Sequence, residues 1–301
     1  MMKYFLITET DIQECSREEA NWIDVFYPNA DEIDDICSYL SIEKEHIKSC
    51  LDIQERSKVL EHEKYSFIIY RAPLVNTEVR TTTLGIFIKE GKYVTVHEDS
   101  LKFIDDMVQD RRMKQLVNPE NFVFWLLNSV NMEYFRIMDD VEDKIDQLED
   151  EVVEKPKKKN IQDIFAIKKA LAYFHKSFNG NREVLSAIQK NYLSNVKSDV
   201  HITGLYDDVN QLIDMEATYR DIVTSVLDVY LSSISNNLNR VMKVLTIITA
   251  LVLPPTLIAG IYGMNLPIPF GERAEAFWFS IALMIISVIL MFLWFRHKKW
   301  I

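Results

Sequence analysis

Two long uncharged stretches near the C-terminus constrain the fold of this chain more than any other feature. One runs from Val244 to Tyr262 and the other from Ala276 to Phe295. A helix needs about 20 apolar residues to cross the hydrocarbon core of a bilayer. The second stretch holds twelve Leu, Ile, Val or Phe residues, which together favour insertion by roughly 4 to 7 kcal/mol. The pattern therefore predicts two membrane-spanning helices rather than the buried core helix of a soluble protein.

The charges around these spans predict their orientation, because basic residues stay on the cytoplasmic side. Arg240 and Lys243 precede the first span, and the basic run 296–299 follows the second. The N-terminus has no long apolar segment and is no signal peptide. We therefore expect a multi-pass protein of the plasma (inner) membrane, with both termini in the cytoplasm and a short outer loop.

Charge is distributed unevenly along the chain. The net formal charge is −11, and residues 241–301 hold five basic and two acidic residues, which leaves −14 for residues 1–240. An acidic body repels phosphate, so nucleic acid is not expected as a partner. The three cysteines are odd in number and lack a CxxC spacing, which argues against a disulfide framework or a cysteine-based zinc site.

Residues 1–118 are predicted to form a cytoplasmic α/β domain. Five short β-rich runs occur there: Tyr4–Thr8, Trp22–Phe26, Tyr65–Ala72, Leu84–Lys89 and Tyr93–His97. The Glu90-Gly91 pair predicts a hairpin between the last two runs, and Asp31–Leu40 has a helical pattern. No phosphate-binding glycine loop and no serine hydrolase motif is present, so the chain is not expected to be an enzyme.

Residues 119–240 are predicted to form a helical region and a stalk. The acidic helix from about Pro119 to Glu154 is either an ordinary solvated face or a cation-attracting surface. From Leu205 to Leu253 there is no Gly or Pro, and apolar residues recur at a spacing of three or four. The fold class expected is thus an α/β domain plus an all-α membrane part, with a long stalk continuous with the first of two C-terminal spans in the pore domain, residues 241–301.

The first span contains helix-disrupting residues, Pro254 and Pro255, together with Gly260 and Gly263. Prolines are tolerated in a membrane helix when neighbouring helices satisfy the freed carbonyl groups. A two-span chain has little interior of its own, so this composition predicts a bundle of several copies in contact with membrane lipid.

The outer end of the first span reads Tyr262-Gly263-Met264-Asn265. A Gly-Met-Asn tripeptide directly after the first of two C-terminal spans resembles the CorA family of divalent-cation channels. The resemblance is dense over residues 219–265 and extends to the basic end at 298–301. It is looser in the N-terminal domain, where Asp52-Ile53 and the run 56–59 are similar to the family.

The resemblance implies that Gly263, Met264 and Asn265 form a selectivity mouth. Mg²⁺ gives up its waters reluctantly, so a ring of neutral amide oxygens from Asn265 suits the hydrated ion without trapping it. Gly263 lets the backbone approach the axis. A purely structural role, in which Asn265 caps the helix end, is also compatible with the sequence.

One face of the first span and of the stalk below it is expected to line the pore. Its members recur at a spacing of three or four and therefore share a side of the helix. Thr256 and Asn239 offer oxygens to hydrated ions, whereas Met242, Leu245 and Leu253 are apolar and suit either constrictions or helix packing. The expected pore-lining residues are Asn239, Met242, Leu245 or Thr246, Thr249, Leu253, Thr256 and Gly260, with Asp228 at the cytoplasmic entrance.

The resemblance also implies a homopentamer that is held shut by intracellular Mg²⁺ bound between subunits. Mg²⁺ would then be both transported and regulatory, and no organic cofactor is implied. Asp52 matches one partner of the family's sensing site, but Gly204 stands where the second carboxylate is expected, so Asp207 or Asp208 is the substitute. The outer loop also lacks the acidic segment of many members, although Glu272 and Glu275 remain.

The leading hypothesis is passive, potential-driven Mg²⁺ uptake, with Co²⁺ or Ni²⁺ as further cargo. Transport of Zn²⁺ or another transition metal, as in related branches of the superfamily, is the close alternative. A membrane-anchored coiled-coil sensor or scaffold is the remote one. The short outer loop and the Thr, Pro and Gly content of one helix face disfavour this last reading.

Overall fold

The computed structural model describes residues 1–9, 11–75, 79–154, 156–193, 196, 200–264 and 275–300. The chain forms two compact units, Met1–Leu227 and Asp228–Ile301. The strands are β1 (Met2–Ile7), β2 (Ile12–Glu14), β3 (Trp22–Phe26), β4 (Lys58–His62), β5 (Tyr65–Val75), β6 (Val79–Lys89) and β7 (Lys92–His97). The helices are α1 (Ala30–Leu40), α2 (Lys44–Cys50), α3 (Lys102–Gln109), α4 (Arg111–Leu116), α5 (Phe122–Glu154), α6 (Lys158–Gln189), α7 (Val200–Tyr262) and α8 (Glu275–His297).

The strands form one sheet of the order β2-β1-β3-β7-β6-β5-β4. Strands β3 and β7 pair in parallel, and the other neighbours pair antiparallel. The predicted hairpin is confirmed: Glu90 and Gly91 both have positive φ angles, of 49° and 76°, as a tight two-residue turn between twisted strands requires. All five predicted runs are strands. Strands β2 and β4 lie outside those runs, because one is short and the other is largely polar.

The sheet is covered on both faces. Phe67 and Ile69 belong to a buried cluster with Ile36 and Ile47 of α1 and α2. Successive side chains of a strand point to opposite faces. The neighbouring Tyr70 accordingly donates its hydroxyl hydrogen bond to Asn131 Oδ1 of α5, at 2.9 Å. Burial on both faces explains why residues 67–70 of β5 and 84–88 of β6 are continuous apolar runs rather than alternating ones.

The predicted seam of the stalk is confirmed as a buried stripe. Its members are Leu205, Val209, Leu212, Tyr219, Val223, Val226 and Tyr230, each with at most 8% exposure. Glu216, which interrupts the seam in the sequence, is also buried at 1% exposure. Its carboxylate is paired with His175 of α6 at 2.9 Å and with Arg220 at 3.4 Å, so the buried charge is compensated.

Helix α7 begins five residues before its predicted start and continues without interruption to Tyr262, through Pro254 and Pro255. Among the described residues, two helices are long and apolar enough to cross a membrane, with mean hydropathies of 2.2 and 2.5 in their most apolar windows. They are α7 and α8, and almost none of either window is buried. This arrangement confirms the expected fold class, an α/β domain followed by a long helix that is continuous with the first of two apolar C-terminal spans.

Candidate functional site

The predicted pore-lining residues share an exposed face of α7. Met242, Leu245 and Leu253 are 57%, 63% and 60% exposed, which is an unusual state for large apolar side chains in water. The remaining members, Asp228, Asn239, Thr246, Thr249, Thr256 and Gly260, are exposed as well. The face is therefore continuous and uncovered within a single chain.

Part of this face forms an apolar groove with a volume of about 710 Å³. Of the predicted residues, the structure brings together Thr249, Leu253, Thr256, Gly260 and Met264 there; Ile248, Val252, Leu257 and Ile261 complete the lining. At 100° per residue, Pro254 and Pro255 lie on the side of the helix away from the groove.

The threonine hydroxyls on this face have a defined orientation. Thr249 Oγ1 donates to the carbonyl of Leu245 at 2.9 Å, and Thr256 Oγ1 donates to that of Val252 at 2.8 Å. A hydroxyl whose hydrogen is engaged by its own helix keeps two oxygen lone pairs free to accept. The groove therefore presents acceptors, suited to the water shell of a cation.

At the outer end of the helix, Gly263 and Met264 are exposed, and the N–H of Gly263 donates to the carbonyl of Ala259 at 2.9 Å. A Cβ atom on Gly263 would lie 3.1 Å from that carbonyl oxygen, so the close turn favours glycine. Asn265 and Glu272 lie outside the described residues, as does the side chain of Glu275.

Asp52 and Asp207 are both exposed, on the loop between α2 and β4 and on α7, respectively. Within the part of the chain that the structure describes, no three His, Cys, Asp or Glu residues are grouped so that they could hold a metal ion. Burial, and then the negative charge of Asp207, raise the pKa of Asp208. Two adjacent carboxylates that repel each other in this way suit a hard divalent cation, but the pair needs further ligands to complete a site.

The sequence pattern does not indicate which residues hold the Asp52 loop in place. The structure shows that Arg71 of β5 and Asn181 of α6 do so. Their separations in sequence from this loop give no periodic signal, and a single arginine in an apolar strand is the only hint.

Comparison with known proteins identifies the family of this chain. Residues 17–297 match the model of a family described as CorA-like Mg²⁺ transporter protein. The cobalt/magnesium transport protein CorA of Methanocaldococcus jannaschii is 34% identical, over 98% of this chain and 96% of its own length. That of Thermotoga maritima is 31% identical, over 85% of this chain and 76% of its own length.

Solved structures agree with the sequence relatives. The complete structure of the CorA magnesium transporter from M. jannaschii superposes with a TM-score of 0.86 at 32% identity, covering 100% of this chain and 98% of that one. The ZntB cytoplasmic domain from Vibrio parahaemolyticus, at a TM-score of 0.64 and 10% identity, shares the fold alone; the match covers 78% of this chain and 98% of that domain.

An α/β domain followed by a long helix that continues into the first of two apolar C-terminal spans defines a class of membrane protein with a large extramembranous part. Within that class, the chain belongs to the CorA-like Mg²⁺ transporter family.

Proposed function

We propose that this protein mediates passive, potential-driven uptake of Mg²⁺, and of Co²⁺ or Ni²⁺, across the plasma membrane. The observation that carries the proposal is the match to the M. jannaschii cobalt/magnesium transport protein, which extends over 98% of this chain. Both termini are cytoplasmic in this arrangement, because the basic residues that flank the two spans lie on their cytoplasmic sides.

The pathway proposed for the ion is the exposed face of α7 in a homopentamer. Five copies would cover the exposed apolar side chains of this face and enclose the groove. Thr249 and Thr256 would accept hydrogen bonds from the waters of the hydrated ion, while Met242, Leu245 and Leu253 would form constrictions that gate by dewetting. Asp228 and Asn239 would face the cytoplasmic entrance.

Selection is assigned to the segment Gly263-Met264-Asn265. An amide oxygen at Asn265 would bind the ion through its waters, since Mg²⁺ dehydrates reluctantly and a neutral ligand lets it leave. Gly263 and Met264 are both exposed. Five copies of the chain would place them in a ring at the outer end of the pore.

Regulation by intracellular Mg²⁺ is proposed at a site shared between subunits. Asp52 is exposed and would provide one ligand. Asp207 would provide another, next to Asp208, whose pKa is raised by burial and then by the negative charge of Asp207. Carboxylates from two chains are needed, because the described residues of one chain form no group of three ligands.

Transport of Zn²⁺ is the second candidate, and it is favoured only by the shared fold of the ZntB domain. Mg²⁺ is preferred because two relatives more than 30% identical, those of M. jannaschii and T. maritima, are cobalt/magnesium transport proteins.

The proposal is tested by ion flux into proteoliposomes that contain a Mg²⁺-sensitive dye. An inside-negative potential should drive Mg²⁺ influx, and Asn265→Ala should abolish influx while leaving the oligomer intact on size exclusion. Asn236→Ala, on the exposed stalk away from the groove, is the matched control and should retain influx. Zn²⁺ influx without Mg²⁺ influx would support the second candidate, and no flux of any divalent ion would contradict the channel.

A further inference from the structure

A buried arginine sits behind the loop that carries Asp52. Arg71 is 5% exposed, and all five of its N–H groups are engaged. Nη1 donates to the backbone carbonyls of Ile53 and Glu55, at 2.8 and 2.9 Å. Nη2 donates to the carbonyl and hydroxyl of Thr81, and Nε is shared between the hydroxyls of Thr81 and Ser177. The guanidinium therefore ties residues 53–55 to the sheet and to α6.

The same loop is held from a second side. Ser57 Oγ donates to Asn181 Oδ1 of α6 at 2.9 Å. The preceding residue of α6, Gly180, allows this approach, because a Cβ atom there would lie 2.8 Å from Ser57 Oγ. The loop itself is turned by Asp52, whose Oδ1 accepts from the N–H of Gln54 at 2.8 Å. Asp52 is thus the exposed turn residue of a loop that is held in place by Arg71 and Asn181.

The acceptors of Arg71 are all neutral, so its charge has no direct counterion among the described residues. Burial lowers the pKa of Arg71, and the phenol of Tyr134 and the carboxylate of Asp52 act in the opposite direction. Asp52 is therefore a carboxylate whose negative charge raises the pKa of Arg71. A buried cation is costly unless its hydrogen bonds are satisfied. The carbonyls of Ile53 and Glu55 accept two of these hydrogen bonds, and the same bonds hold the loop in place.

We propose that Arg71 is a positioning residue for Mg²⁺ sensing: it fixes the backbone of residues 53–55, with Asn181 as the second anchor, so that Asp52 presents its carboxylate to the cation. This inference rests on the regulatory site proposed above. A fixed loop spares the ordering entropy that a mobile ligand would lose on binding, and so raises the affinity for the ion.

The test uses the full-length protein in detergent and follows thermal unfolding over a series of Mg²⁺ concentrations. A ligand that binds only the folded state stabilises it by RT ln(1 + [L]/Kd), so fitting this relation to the unfolding temperatures gives the Mg²⁺ concentration at half-saturation, called the midpoint below. Asp52→Asn should remove this stabilisation. Arg71→Lys keeps the charge but cannot bridge both carbonyls, and it should raise the midpoint about threefold or more. In the Asp52→Asn background, Arg71→Lys should have no further effect on the Mg²⁺ response.

Two controls separate positioning from general destabilisation. Arg80→Lys is the same substitution on the same hairpin, at an exposed guanidinium paired with Asp99, and should leave the midpoint unchanged. Thr95→Val removes a buried hydroxyl elsewhere in the sheet and should lower the unfolding temperature without Mg²⁺ while leaving the midpoint unchanged. If Arg71→Lys does not fold, Ser57→Ala releases the second anchor and should raise the midpoint in the same direction.

Failure of the proposed regulatory site and failure of the role of Arg71 give different results. A wild-type midpoint retained in Asp52→Asn would overturn the proposed regulatory site, and with it this inference. A midpoint lost in Asp52→Asn but unchanged in Arg71→Lys would overturn the role of Arg71 alone. If Arg71→Lys does not fold, an unchanged midpoint in Ser57→Ala would overturn the fixing of the loop, on which that role depends.

Discussion

The side-chain amide of Asn181 pairs with the backbone of Arg71 as a neighbouring strand would. Asn181 Oδ1 accepts from the N–H of Arg71 at 2.9 Å, and Nδ2 donates to its C=O at 2.8 Å. The β4 ladder ends where Lys58 pairs with Ile69, so strand β5 has no partner on that side at Arg71. One buried asparagine from α6 supplies the missing pair of hydrogen bonds and joins the helix to the sheet.

Asn181→Ala should therefore destabilise the protein strongly. It leaves the buried N–H of Arg71 without a partner and its C=O with the Tyr134 hydroxyl alone, at 3.2 Å, and a buried group left unpaired costs about 1–3 kcal/mol. We expect the free energy of unfolding of the full chain in detergent to fall by about 2–4 kcal/mol, measured by denaturant titration. Asn179→Ala, at a half-buried position of the same helix whose side chain bonds to His175 and Arg182 of that helix, should change it by less than about 0.5 kcal/mol. Equal effects of the two substitutions would contradict the pairing.

Gly85→Ala tests the packing of β6 against α2. A Cβ atom at Gly85 would lie 2.0 Å from Cys50 Sγ, and Cys50 is completely buried. The substitution should lower the free energy of unfolding by about 1–3 kcal/mol, because the core must shift to accommodate it. Adding Cys50→Ala removes the sulfur and should restore part of the loss. A wild-type unfolding temperature in Gly85→Ala would show that the contact is looser than described.

The buried pair of Asp24 and His97 predicts a pH dependence. Their side chains are joined at 3.0 Å, with about 5% of each exposed. Burial by itself lowers the pKa of His97, but the hydrogen bond and charge of Asp24 outweigh it, so the pKa is raised above the ordinary value. The stabilisation from the pair is then complete at low pH and is lost as the pH rises through the folded-state pKa.

This dependence is measured by comparing wild type with His97→Gln. The difference in their unfolding temperatures should be largest near about pH 5.5 and should shrink toward about pH 9. A difference that stays constant across this range would mean that His97 does not titrate within the folded protein.

Gly204→Asp should strengthen regulation by Mg²⁺. Gly204 lies exposed on α7, with no atom within 4 Å of a Cβ built there, so a side chain fits without strain. An added carboxylate one turn before Asp207 and Asp208 should lower the cytoplasmic Mg²⁺ concentration that half-inhibits influx by about threefold or more. Gly204→Ala is the matched control. It should stabilise the helix by about 0.5–1 kcal/mol and leave the half-inhibiting concentration unchanged.

Local sequence patterns predict most of the helices and strands, but they do not predict the contacts between them. Three-four spacing without Gly or Pro predicts the long stalk helix, and two β-rich runs on either side of a Glu-Gly turn predict the β6–β7 hairpin. The predicted start of α7 at Leu205 is late, because an exposed glycine at 204 is tolerated inside a helix that tertiary packing stabilises.

Periodicity also predicts one face of α7, since a shared side is a property of a single helix. It gives no information on Arg71 and Asn181, which meet across 110 residues of chain. Such contacts depend on the topology of the whole domain. The mouth residue Asn265 remains a prediction from the family resemblance.

The central claim is that the groove face of α7 lines the path of Mg²⁺. It is tested most directly by chemical block of Mg²⁺ influx in a background where the partly exposed Cys15 and Cys37 are replaced by serine. Thr256→Cys lies in the groove and Ile258→Cys on the opposite side of the helix. A charged, membrane-impermeant thiol reagent should stop influx through Thr256→Cys and spare Ile258→Cys. Unchanged influx through modified Thr256→Cys, or equal block of both variants, would contradict a pathway along this face.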